Sequence, residues 1–125
     1  EFITKRTPFI PETLVPNIWV NYKRITLVNN ANAERVTIDT DLEFVSKGFT
    51  EKMQNLVIAE VKQEKRTGSA FLLAMKKFKI REGSISKYCM GVALTNKNVK
   101  KNNFKEKLHL LKHIIYAGNN ITANS

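Results

Sequence analysis

Ile18-Trp19-Val20-Asn21-Tyr22-Lys23-Arg24-Ile25-Thr26-Leu27-Val28 is followed by Asn29-Asn30-Ala31-Asn32-Ala33 and then by Glu34-Arg35-Val36-Thr37-Ile38-Asp39-Thr40. Two runs rich in β-branched and aromatic residues around a short polar segment predict a pair of strands joined by a hairpin-type loop. Working outward, Leu56 to Lys62 predicts a third strand, and Phe49 to Gln54 is expected to form a helical turn before it. Upstream, residues 1–17 carry Pro8, Pro11 and Pro16, which predicts an extended arm or a broken turn.

Helical patterning begins after the third strand. Ser69 is a plausible N-cap for a helix over Ala70 to Lys79, where Phe71, Leu72, Met75 and Phe78 recur at helical spacing. Ile85, Tyr88, Cys89 and Val92 repeat that spacing, and Ser84 is the candidate cap of this second helix. Thr95 to Lys105 reads as a polar loop. A last helix over about Phe104 to Ala117 carries the stripe Phe104, Leu108, Leu111, Ile114 and Ile115, with Gly118 as a fitting C′ residue and a fraying tail beyond. The class is therefore α+β with an antiparallel sheet flanked by helices.

The chain has 125 residues, enough for one domain, and 42% of them are apolar, which excludes disorder. No apolar run approaches a spanning helix. Glu1-Phe2-Ile3-Thr4-Lys5-Arg6 is neither a signal peptide nor a start with Met, so a processed chain or a piece of a longer one is expected. The single cysteine, Cys89, excludes an internal disulfide framework and predicts a reducing, cytoplasmic setting. Lys and Arg number 21 against 11 Asp and Glu, for a net charge of +10. That excess points to an anion: nucleic acid, a membrane surface or phosphate compounds, with a merely solvated basic surface as the plain alternative.

Strand alternation sharpens the choice. Tyr22, Arg24 and Thr26 share a face of the first strand; Arg35, Thr37 and Asp39 share one of the second; Ile58, Glu60 and Lys62 share one of the third. The opposite faces carry Val36, Ile38, Val57, Ala59 and Val61 and are expected to lie under the helices. One reading is an antiparallel sheet with its polar side in water. The other is a set of charged faces converging on a groove for an anion. Glu60 reads as a structural partner of a Lys or Arg, or as a carboxylate that holds a divalent metal bridging phosphate oxygens. Ser86 and Lys87 fall in the first turn of the second helix, where backbone N–H groups and the helix dipole favour an anion; a solvated lysine is the alternative. His109 and His113 stand four apart, but no Glu or Cys joins them at ligand spacing. Phosphate-loop, dinucleotide and RNA-binding sheet motifs are absent, so only net charge speaks for nucleic acid.

Four short motifs occur in order: Pro16-Asn17-Ile18-Trp19-Val20-Asn21-Tyr22-Lys23-Arg24, Arg35-Val36-Thr37-Ile38-Asp39, Ala59-Glu60-Val61-Lys62 and Ser86-Lys87-Tyr88. Together they resemble the second half of the VTC domain, the polyphosphate polymerase domain of vacuolar transporter chaperones and their bacterial relatives, within the triphosphate tunnel metalloenzyme superfamily. The resemblance spans about residues 16–95. It implies a single partial domain: an arm over 1–15, tunnel strands and helices over 16–95, and a loop and last helix over 96–118.

The resemblance further implies part of an antiparallel β-barrel enclosing a charged tunnel. The implied substrates are ATP or another nucleoside triphosphate and inorganic polyphosphate, with Mn²⁺ or Mg²⁺ as cofactor and phosphoryl transfer onto a growing chain as the reaction. By motif, Tyr22, Arg24, Arg35, Lys62, Ser86 and Lys87 would bind phosphate, and Glu60 would bind the metal. The first-half Glu-x-Glu pair of the family has no counterpart in residues 1–15, and Ser84 stands where a basic residue is expected, with Arg81 as its substitute. The implied object is half a tunnel. It is expected to be inactive by itself, and to be completed by a missing first half or by a second copy in a homodimer.

Overall fold

The computed structural model describes residues 2–64 and 68–122, with the side chains of 116–122 excepted. The Pro-rich start is not an extended arm throughout. It opens with a short helix α1 (Phe2–Arg6) and contains a 3-10 turn at Pro11–Thr13, where Pro11 opens the turn as its fixed φ allows.

β1 (Trp19–Asn29) and β2 (Glu34–Ser46) form the expected hairpin, closed by Asn29 opposite Glu34. The second strand runs well past Thr40. Its continuation passes through a β-bulge, in which Tyr22 of β1 stands opposite both Asp41 and Leu42. Asp41 takes the left-handed conformation at φ 52°, which a short polar side chain tolerates, and its carboxylate pairs with Lys23 at 2.9 Å. A two-residue turn, Lys47-Gly48 with Gly48 at φ 75°, then sends the chain into β3 (Phe49–Met53). The helical turn expected over Phe49 to Gln54 is thus a strand. Pairing with Leu42–Ser46 and the burial of Met53 against the core override the local pattern. β4 (Ile58–Gln63) pairs with the first half of β2, so β3 and β4 lie end to end along one edge of β2 and β1 lies along the other.

α2 (Ala70–Lys77) begins at Ser69, whose hydroxyl accepts the Leu72 N–H at 3.1 Å, as expected. α3 (Lys87–Thr95) begins two residues later than expected: Ser86, not Ser84, caps it, accepting the Cys89 N–H at 3.3 Å. After a 3-10 turn at Asn102–Phe104, α4 (Lys105–Thr122) runs through Gly118 and does not end there. A glycine inside a helix costs only about 1 kcal/mol relative to alanine, too little to stop it.

The register fixes where the core sits. Val20, Tyr22 and Arg24 alternate onto one face of β1; their partners put Phe44, Leu42, Asp39 and Ile58 on that same face. Leu42, Phe44, Met53, Leu56, Met90 and Leu111 form the buried core, with Ile18, Val20, Ile58, Leu94, Leu108 and Ile115 packed around it. α3 approaches closely at Gly91, where an added Cβ would lie 2.5 Å from Cδ1 of Phe44. The core-forming helices therefore cover half of the face that bears the charges, and the assignment of polar and helix-covered faces to opposite sides is corrected. On the opposite face Val36 is buried and Ile38 and Val61 are half-buried, while Ile25, Leu27 and, just before β4, Val57 are exposed. The result is an α+β fold with an open four-stranded antiparallel sheet among the described residues. No helix there is long and apolar enough to cross a membrane.

Candidate phosphate-binding face

Beyond the core, the same sheet face continues as a polar surface. The cross-strand pairs Arg24–Asp39, Thr26–Thr37–Glu60 and Val28–Arg35–Lys62 bring the predicted residues of three strands into successive rows. Arg24, Arg35, Glu60 and Lys62 all project from this one face.

At the end nearest the core, Asp39 is buried, with 1% of its side chain exposed. Arg24 grips it with two donors, Nε to Oδ1 at 2.6 Å and Nη2 to Oδ2 at 2.8 Å. From the first turn of α3, Lys87 Nζ reaches Oδ2 at 2.6 Å. Tyr22 stands beside both cations: the Arg24 guanidinium lies 5.0 Å and the Lys87 ammonium 5.2 Å from its ring centroid. The Arg24 hydrogen bonds, helped by Lys87, outweigh the cost of burial and push the Asp39 carboxyl down to about 2. The same contact raises the pKa of Arg24. Strand β1, strand β2 and helix α3 thus meet on one buried carboxylate.

At the far end, Arg35 and Lys62 stand opposite each other, four residues along β2 from Asp39, or about 13 Å at strand rise. Both are exposed, and Lys62 pairs with Glu60 at 3.2 Å, a contact open to water on both sides. The predicted residues thus form two groups: Tyr22, Arg24 and Lys87 around Asp39, with Ser86 capping the helix that carries Lys87, and Arg35, Glu60 and Lys62 further out. Arg81 is exposed in the segment between α2 and α3.

The sequence pattern places Asp39 within the Arg35–Asp39 motif and on the charged face but does not mark it as binding. Counting back from the Asn29–Glu34 closure places it opposite Arg24, so the pairing was readable once the hairpin was fixed.

The donor set bears on the implied metal. Among the described residues no three or more His, Cys, Asp or Glu side chains gather as a metal site. Asp39 is engaged by two cations; beside Arg35 and Lys62, at the outer end of this face, Glu60 is the carboxylate exposed to a ligand. One carboxylate fits a hard divalent cation only when substrate oxygens and water complete its shell.

With this geometry in hand, comparison with known proteins identifies the family: the VTC domain matches residues 6–96. The chain belongs to the VTC domain family. No curated protein and no solved structure matches it significantly. Membership in the VTC domain family suggests a polyphosphate-related function.

Proposed function

We propose that this VTC domain binds triphosphate or short polyphosphate along the polar half of its sheet face, as the phosphate-binding part of a VTC-type polyphosphate polymerase. The observation that supports this best is the alignment of Arg24 and Lys87 at one end of an open face with Arg35 and Lys62 at the other. Cations spread over this distance suit a chain of phosphates better than a single one. Within a complete polymerase, the terminal phosphoryl group of ATP would pass to the growing chain. These side chains would act by holding phosphates in line and neutralising their charge. Arg24 and Arg35 offer planar donor forks, Lys62 and Lys87 point charges, and the α3 N-terminus adds backbone N–H groups. A divalent cation arriving with the ligand would neutralise further phosphate charge, with Glu60 as its protein ligand. A barrel around this face requires strands beyond those described, from a first half or from a second copy.

Titration calorimetry with tripolyphosphate and orthophosphate, with and without Mn²⁺, tests the reading. Tripolyphosphate is expected to bind more tightly than orthophosphate, with little or no ATP turnover by this chain. Arg24→Ala and Lys87→Ala are each expected to weaken it about 5-fold or more, from roughly 1–3 kcal/mol per lost charged contact. Changes at Lys100 and Lys101, in the polar loop before α4, serve as controls. Glu60→Gln is expected to reduce the benefit of Mn²⁺ without weakening metal-free binding. Equal losses from the loop lysines and from Arg24 and Lys87 would mean diffuse attraction. A salt dependence and affinity for DNA matching those for polyphosphate would favour a general polyanion binder.

A further inference from the structure

The cations at the inner end of the proposed site are already answered. Both oxygens of Asp39 accept from Arg24, and Oδ2 also accepts from Lys87, in surroundings that leave the carboxylate 1% and Lys87 20% exposed. The outer pair differs: Glu60 and Lys62 are half-exposed or more, so an arriving anion displaces that contact at little cost. We infer that Asp39 is a specificity-determining residue: it occupies Arg24 and Lys87 as an internal anion, so that a lone phosphate gains little from them and only a chain that also engages Arg35 and Lys62 binds well. The inference rests on the proposed phosphate-binding function.

Two effects of the carboxylate oppose each other. It aims both cations, and it repels any phosphate that approaches them. Arg24 keeps other N–H donors beyond the two given to Asp39, and Lys87 keeps donors beyond its one, so contact with a phosphate remains open. Aim, however, has a second source. Arg24 and Lys87 both stand beside the Tyr22 ring, and Lys87 is anchored at the start of a capped helix. Repulsion has no such substitute, and it is screened less in a site of low exposure than in water. For a small anion, loss of the negative charge therefore outweighs loss of aim.

Asp39→Asn keeps the size of the side chain and removes its charge. The test titrates the wild-type chain and this variant with orthophosphate and with tripolyphosphate, after thermal melts establish that each is folded. Orthophosphate affinity is expected to rise about tenfold, about 1.4 kcal/mol. Tripolyphosphate affinity is expected to rise less, so the preference for the chain narrows. A preference that is unchanged or larger overturns the inference, and so does weaker binding of both anions by folded Asp39→Asn. Lys87→Met covers the case in which Asp39→Asn fails to fold, because it leaves the Arg24–Asp39 pair in place. It is expected to change orthophosphate affinity by less than about twofold while weakening tripolyphosphate about fivefold; equal losses for both overturn the inference. Failure of the wild-type chain to bind tripolyphosphate overturns the proposed function and this inference with it. Wild-type binding with an unaltered preference in the variant overturns the inference only.

Discussion

Arg35 and Lys62 occupy directly opposed positions on neighbouring antiparallel strands, two like charges in one cross-strand pair. Such a pair destabilises a sheet by roughly 0.2–1 kcal/mol relative to a neutral one. Arg35→Gln is therefore expected to stabilise the ligand-free protein by up to about 1 kcal/mol while weakening tripolyphosphate binding. Urea unfolding and calorimetry on the same variant check both halves. Greater stability with undiminished binding would place the outer cations outside the site.

The approach of α3 to the sheet carries a sharper penalty. At Gly91 an added Cβ would meet Phe44 Cδ1 at 2.5 Å and Ile18 Cδ1 at 2.6 Å, and Phe44 is fully buried. The Ile18 methyl can swing aside, but the Phe44 ring has no room. Gly91→Ala is expected to lose about 1–3 kcal/mol in urea unfolding despite the better helix propensity of alanine. A neutral or stabilising result would mean that α3 sits further from β2.

Acid should loosen the same junction. The Asp39 carboxyl sits at about 2, below its ordinary 3.8, because Arg24 and Lys87 hold the charged form. A depressed carboxyl contributes stability that is complete above about pH 4 and is lost as the pH falls through about 2; the amount is roughly 2 kcal/mol. Unfolding followed from pH 5 to pH 2 is expected to show this loss. Asp39→Asn is expected to be less stable at pH 7 and to show a shallower acid dependence. Parallel curves for the two proteins would contradict the assignment.

Asp41 holds its left-handed conformation in an exposed bulge. Asp41→Val is expected to destabilise by about 1–2 kcal/mol, since a β-branched residue fits that conformation poorly, whereas Asp41→Gly relieves strain and loses only the surface pair with Lys23. Melting temperatures of the two variants, compared with wild type, decide it.

The parts legible in the sequence were those set by local chemistry. The β1–β2 hairpin, the β4 alternation and the Ser69 cap follow from residue type and spacing, and the rows of Arg24, Arg35, Glu60 and Lys62 follow from alternation. Of the residues to which the VTC resemblance gives a binding role, Tyr22, Arg24, Arg35, Glu60 and Lys62 lie on that face, while Ser86 and Lys87 come from the start of α3. The misses occur where a distant partner decides. The sequence reading ends β2 at Thr40, although polar and apolar residues go on alternating through Asp41, Leu42, Glu43 and Phe44; the pairing with β1 shows that the strand continues, with a bulge opposite Tyr22 that turns Leu42 and Phe44 to the face opposite Val36 and Ile38. β3 looked helical because its partner, the second half of β2, had not been recognised as strand. The cap moved from Ser84 to Ser86 where Lys87 reaches a buried carboxylate on another element. Alternation puts Asp39 on the charged face but gives it no role, because its burial and its second cation depend on α3, which packs there from far along the chain.

The bulge also determines which losses of sequence the central strand can survive. Asp39 and Leu42 face the same way although they are an odd number of residues apart, because the bulge absorbs one residue between them. Removing Asp41 would make the pairing regular and leave Asp39, Leu42 and Phe44 facing as they do now. Removing Val36, Thr37 or Ile38 instead would force the strand either to slip its partners or to turn Arg35 away from Lys62. Position 41 is thus a built-in slack point, where a single-codon deletion in the middle of a sheet would leave the molecule right side out.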